Sequence, residues 1–316
     1  MSLVRTMTRE VPMQLQVSAQ IETMVSEGHI SSDDAMRFSK FVDTCNIEFM
    51  THPVITDNRY CEWFATGKAN SENIKHFVIQ FSVFSNLFLI AQLLKVINAG
   101  TLEGMRASKE ILANELGVIF HKEGASMGEV SDTDREGDPD IVALEGSVDG
   151  GRFRFRAAHF EWLVKMGDVL GLGFNDMGKR RHGTPSTLFF CDQLSAIYGN
   201  EDPNIAEGAS FAVENWAAAG FWKQLIAGLD AFKQTEEPKL PLAFFTWHDK
   251  IEEQHAGHVM DELEELYFTD DFDEEKFIKG GKDMLDGVQA FWTGLNEQRI
   301  AIIPSAGDSL PPAEFF

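Results

Sequence analysis

The chain has 316 residues, 44% of them hydrophobic and 24% charged, with 50 acidic against 27 basic residues and a formal net charge of −23. So acidic a balance excludes nucleic-acid binding through phosphate contacts and docking on an anionic membrane. The composition is that of a globular protein, and the length is enough for one large domain spanning 1–316.

The three cysteines, Cys45, Cys61 and Cys191, show no paired spacing, which points to reduced thiols. The opening MSLVRTMTREVPMQLQ lacks the apolar core of a secretory signal. No run of 18 uninterrupted apolar residues occurs, so no membrane span is expected and the expected location is cytoplasmic.

In chain order, residues 12–27 read as an amphipathic helix ending at Gly28. SSDDAMRFSKFVDTCNIEFM opens with a Ser/Asp cap and predicts a helix to about Met50, broken by His52-Pro53. A short helix carries Tyr60, Trp63 and Phe64 and stops at Gly67. Asn70 or Ser71 then caps ENIKHFVIQFSVFSNLFLIAQLLKVINAG, which is apolar nearly all round and is expected at the centre of a bundle. Its Phe77, Phe81, Phe84 and Phe88 are core by default, and at most one wall of a substrate pocket.

Residues 101–119 predict another helix, with Met105, Leu112, Leu116 and Ile119 as its stripe and Glu115 at the stripe's edge. The composition then shifts to Gly, Asp and Glu. VALEGSVDGGRFRFR alternates around Asp149-Gly150, a pair favoured in tight hairpins. Residues 120–156 therefore read as an inserted loop and small hairpin, too short to hold a core of its own. Helix resumes with AAHFEWLVKMGDVLGLG, which carries His159.

The 172–186 loop holds the basic run Lys179-Arg180-Arg181-His182. Its default reading is a solvated turn, and its alternative a lid or anion anchor. A short helix over 185–198 and a long one from Pro203 through Phe232 follow, with Ser210, Glu214, Ala217 and Phe221 aligned on the latter. Helices over 242–267 and 273–297 close the bundle, and 299–316 reads as a surface tail. The expectation is an all-α fold of eight or nine helices, with strand only in the 140–156 insertion.

The 242–267 helix carries the chemistry. Its core-facing stripe runs Phe244, His248, Ile251, Glu252, His255, Val259. At about 100° per residue His248, Glu252 and His255 span only about 60° of arc. Two imidazoles and a carboxylate in a core position are costly unless something binds them, and mixed nitrogen and oxygen donors suit iron or manganese. Glu115, His159 and Glu214 add two carboxylates and an imidazole from other helices, the donor set of carboxylate-bridged two-metal sites in helical bundles. His121 rivals His159 for that role.

These motifs resemble the haem-oxygenase-like superfamily of helical proteins, and within it the di-metal oxidases that bind non-haem iron and activate dioxygen. The resemblance runs from about His52-Pro53 to Leu266. It rests on ENIKHFVIQF, on the NELG turn with Glu115, on HFEWLVKMGDVLGLG with His159, and on FFTWHDKIEEQH. It implies two iron ions, or manganese, held by Glu115, His159, Glu214, His248, Glu252 and His255. Dioxygen would be co-substrate, and a small molecule would sit in an apolar pocket lined by Phe77, Phe81, Phe84, Phe221 and Trp247.

His258, one turn past His255, is expected to support a ligand rather than bind metal. The chain departs from the family's pattern in the expanded Glu115–His159 segment and in Glu252, where Asp is commoner. No nucleic-acid or membrane partner is expected, and a homodimer is the assembly to test for. Two alternatives compete. One is a metal-free enzyme on the same fold, thiaminase-like or pyrroloquinoline-quinone-synthase-like. Thiaminase-like members need a cysteine nucleophile, and Cys191 is the only candidate. The other is a non-catalytic metal-binding helical protein.

Overall fold

The computed structural model describes residues 14–122, 142–148, 151–156 and 159–302, with the backbone alone at 103, 114 and 302, at the strand residues from 119 onward and at 251–258. Twelve α-helices and three strands occur among the described residues. The early helices are α1 (Ala19–Ser26), α2 (Ser32–Cys45), α3 (Pro53–Thr56), α4 (Arg59–Ala65), α5 (Ser71–Asn98) and α6 (Leu102–Glu115). After strands β1 (Val118–Lys122), β2 (Val142–Val148) and β3 (Gly151–Arg156) come α7 (His159–Val169), α8 (Pro185–Gln193) and α9 (Pro203–Ala218). The last three are α10 (Phe221–Thr235), α11 (Ala243–Tyr267) and α12 (Glu274–Ile302). A π-turn extends α2 to Met50 and another extends α8 to Tyr198.

Local chemistry sets most boundaries. Ser31 caps α2 and Asn70 caps α5, each in a reciprocal box with the residue three positions on. Pro53, Pro185 and Pro203 open α3, α8 and α9, where a missing N–H costs nothing. Three expectations are corrected. The single helix from Pro203 through Phe232 is two, because Gly220 adopts φ +99° between α9 and α10. The 101–119 helix stops at Glu115, because Gly117 at φ +69° turns the chain and Val118 and Ile119 enter a strand. The first helix starts at Ala19 and not at 12, and the last runs on to Ile302. Splitting and short capped turns raise the helix count above eight or nine.

Residues 14–18 are held from both sides. Leu15 exchanges backbone hydrogen bonds with the Asn46 side chain at 2.8 and 3.0 Å. The Ser18 N–H and hydroxyl donate to the buried Glu264 carboxylate at 2.8 and 2.6 Å.

At the core α12 lies along α9 and α8, α11 packs on α9, α10 and α7, and α5 packs on α6, α7 and α8. The interior is dense in aromatics: Phe77, Phe81, Phe245 and Trp292 are almost fully buried and in ring contact. Of the described helices, α5 alone is long and apolar enough to cross a bilayer, with a mean hydropathy of 1.9. Its first half, through Val83, is in the core, but 44% of its apolar window is buried and Ile90, Leu93 and Ile97 are exposed, so the expected place at the bundle's centre holds for part of its length.

The insertion forms a small antiparallel sheet of order β1-β3-β2. The β2–β3 hairpin is the expected one, and its turn at Asp149-Gly150 lies outside the described residues. β1 is an addition to the expected strands. Residues 303–316, most of the expected tail, also lie outside the described residues.

Candidate metal centre

The sheet brings the first two candidate ligands together. Glu115 is the last residue of α6, three before β1, and His159 is the first of α7, three after β3. The antiparallel register pairs Val118 with Phe155, so the exit from α6 and the entrance to α7 lie one strand spacing apart, about 4.8 Å. A long sequence gap is thereby closed. His159 Nδ1 sits 3.0 Å from Glu115 Oε2, with side chains only 11% and 15% exposed.

His248, in the second turn of α11, meets the same spot. Its ring lies 4.7 Å from that of His159, nearly edge-on. His248 Nδ1 is 2.6 Å from the Phe244 carbonyl oxygen. With Nδ1 donating there, a neutral ring carries its lone pair on Nε2, the arrangement in which a second partner commonly orients a ligating histidine. The imidazoles are walled by aromatics. Trp222 stacks on His248 at 4.9 Å, Phe244 lies 4.2 Å from it, and Trp247 and Trp162 lie 4.7 and 5.6 Å from His159. Sequence reasoning missed Trp162 and Trp222 as walls. Trp162 was findable, one turn after His159 on the same helix face.

Glu214 is half-buried on α9, one turn beyond the buried Ser210, and its charge adds to burial in raising the pKa of Tyr198. Glu252 and His255 occupy the expected positions on α11, and their side chains, like that of His258, lie outside the described residues. His121 falls on β1, likewise without a described side chain. Among the described residues no group of three or more His, Cys, Asp or Glu gathers into a metal cage. What is gathered is Glu115 with His159, and His159 with His248. The described side chains thus give two pairwise contacts that share His159, of the imidazole and carboxylate types that intermediate metals accept.

Of the expected pocket residues, Trp247 touches both imidazoles and Phe81 reaches Phe244, whereas Phe77, Phe84 and Phe221 contact other rings of the core. Phe77, Phe81 and Phe221 are buried in the aromatic core, and Phe84 and Trp247 are half-buried. The small void beside the centre, lined by Trp162, Lys165, Pro241, Ala243 and Phe244, measures 10 Å³. A larger cleft of 440 Å³ lies elsewhere, among Phe41, Thr44, Glu274 and Lys282.

The other candidates have ordinary roles. Arg180 forms a two-pronged pair with Asp192 at 2.7 and 2.8 Å, and this holds the Asp192 carboxyl below its usual pKa. Arg181 and His182 bond the Asn175 carbonyl, and Lys179 lies over the Phe174 ring. Gln80, Ser82 and Asn86 of α5 bond the loop backbone at His182, Thr184 and Gly178. The basic run is a pinned surface turn. His52 and His76 pair with Asp286 and Gln298, and His29 pairs with Glu27. Cys191 is buried, and burial pushes its thiol up to about 12, so it holds little of the thiolate a nucleophile requires.

The architecture is the haem-oxygenase-like fold. A CADD-like protein of unknown function from Nostoc punctiforme superposes with a TM-score of 0.54 at 15% identity, over 87% of this chain and 100% of that one. A domain of unknown function with a heme oxygenase-like fold from Shewanella denitrificans gives 0.54 at 14% identity, over 89% and 99%. A TenA homolog from Pseudomonas syringae pv. tomato gives 0.55 at 7% identity, over 90% and 100%. No protein-family model and no curated protein matches the sequence.

Proposed function

We propose that the protein is a non-haem di-iron oxidase or oxygenase that uses dioxygen on a small molecule. The observation that supports this reading is that buried His159 meets both Glu115 and His248, with Trp162, Trp222, Phe244 and Trp247 packed against the two imidazoles. Glu115, His159, Glu214, His248, Glu252 and His255 would hold two irons, or manganese, and Glu252 and His255 follow His248 on one helix face.

Two irons, when bound, supply the electrons that reduce dioxygen. The chain's own residues do the rest. The carboxylates offset the metal charge. His248 is oriented by its bond to the Phe244 carbonyl, so Nε2 is the atom presented. The surrounding indoles exclude water, which strengthens every charge interaction inside. The strands hold Glu115 against His159 across the insertion.

Of the metal-free alternatives, the thiaminase-like one is disfavoured by the buried, protonated Cys191. The pyrroloquinoline-quinone-synthase-like and the non-catalytic readings are separated by experiment. Protein loaded anaerobically with iron(II) and then mixed with air should develop a transient visible absorption and consume oxygen. Zinc-loaded protein should do neither, because zinc has no redox chemistry. Iron-loaded protein that takes up no oxygen beyond the rate of free iron would sink the oxidase reading.

A further inference from the structure

Lys95 is the lone charged residue of α5 between His76 and Asn98, and it is buried. Its ammonium donates to Ser210 Oγ at 2.7 Å and to Glu207 Oε2 at 3.3 Å, both on α9, and lies 4.7 Å over the Tyr198 ring. Tyr198, also buried, is hydrogen-bonded to Ser210 and accepts from Gln92 Nε2 at 3.0 Å. Glu207, Ser210 and Glu214 stand at spacings of three and four on α9, so one face carries all three. Glu214, the candidate ligand, is therefore the next residue along that face after the Ser210 contact.

Burial alone would discharge this lysine. The carboxylates of Glu207 and Glu262 outweigh it and leave the pKa raised, which favours the ammonium form. A fixed charge that does not release its proton is a brace and not a proton donor. Stability is a weak reason to bury it, because a buried ion pair contributes little beyond an apolar replacement of similar volume.

We propose that Lys95 and Tyr198 are positioning residues for Glu214: the ammonium locks Ser210 and the phenol into one column, and that column fixes the carboxylate's approach to the metal centre. This rests on the di-metal reading given above.

The test is a cobalt(II) titration of metal-free protein followed by its visible d–d bands, alongside circular dichroism and thermal melts. Tyr198→Phe and Lys95→Met are expected to stay folded. Each should lose about 10- to 100-fold in cobalt affinity, with altered band intensities. Lys95→Arg, which keeps the charge, should recover most of the loss. Lys276→Met, which removes the exposed pair with Asp202 at the far end of α9, should bind as the unmodified protein does. Unchanged affinity and bands in both Tyr198→Phe and Lys95→Met, with the parent binding cobalt normally, would overturn this role and leave the metal centre standing. A parent protein that takes up no cobalt would remove the di-metal reading, and this proposal with it.

Discussion

His255→Ala is expected to abolish iron-dependent oxygen uptake, whereas His258→Ala should weaken metal retention by about 10- to 100-fold and keep turnover at saturating iron. Both residues lie on α11 in the same uninterrupted helix as His248. His255 follows His248 by seven positions, which places it about 20° from His248 around the helix axis. His258 falls about 80° from His248 on the same side, beyond His255, at the margin of that face. The two are chemically identical and one turn apart, so a difference between them reports position rather than a general effect of losing a histidine. Oxygen electrode traces at several iron concentrations separate the cases. Equal, intact uptake in both variants would show that neither histidine is a ligand.

Gly208→Val should be the most damaging single change to the fold. α9 and α12 cross with almost no space between backbones: a Cβ at Gly208 would run into the Phe277 carbonyl, and one at Gly280 into the Ile205 carbonyl. A backbone carbonyl cannot rotate away as a side chain can, so relief requires α9 and α12 to separate. That parts the contact on which Phe211, Phe277 and Leu285 are buried. Overpacking typically costs about 1–3 kcal/mol, and a clash with backbone belongs at the upper end of that range, so the melting temperature should fall by several degrees. Gly220→Ala is the comparison. Nothing lies within 4 Å of its added Cβ, so only the left-handed backbone is strained, at about 1 kcal/mol. If the two variants melt together, the α9–α12 crossing is looser than described.

These two sites mark what the sequence could and could not reveal. α5 was legible almost to the residue because the Asn70 cap, a long uninterrupted run and the Ala99-Gly100 stop agree, and α11 because a long helical run follows Pro241 directly. The haem-oxygenase-like fold was legible because its motifs sit on those strong helices. The break at Gly220 was not, since a glycine within an apolar run costs a helix only about 1 kcal/mol and need not end it. Nor was β1, because Val118, Ile119 and Phe120 satisfy a helical stripe as well as a strand until a partner is known.

The pairing of Glu115 with His159 depends on the register of that sheet, a long-range fact that no local pattern contains. The Lys95 column did leave a trace: one charge in a long apolar helix stretch has to be answered by something. What answers it came from α9, the adjoining π-turn and α5 itself, and only the packed structure shows that.

The central claim is that one chain binds two metal ions between Glu115 and His255. Anaerobic titration of metal-free protein with iron(II), read by equilibrium dialysis, tests it most directly. The account predicts saturation at two equivalents per chain, and a loss of one or both when Glu115 is replaced by alanine. Saturation at one equivalent, unaffected by Glu115→Ala, would place a single metal on α11 alone and contradict it.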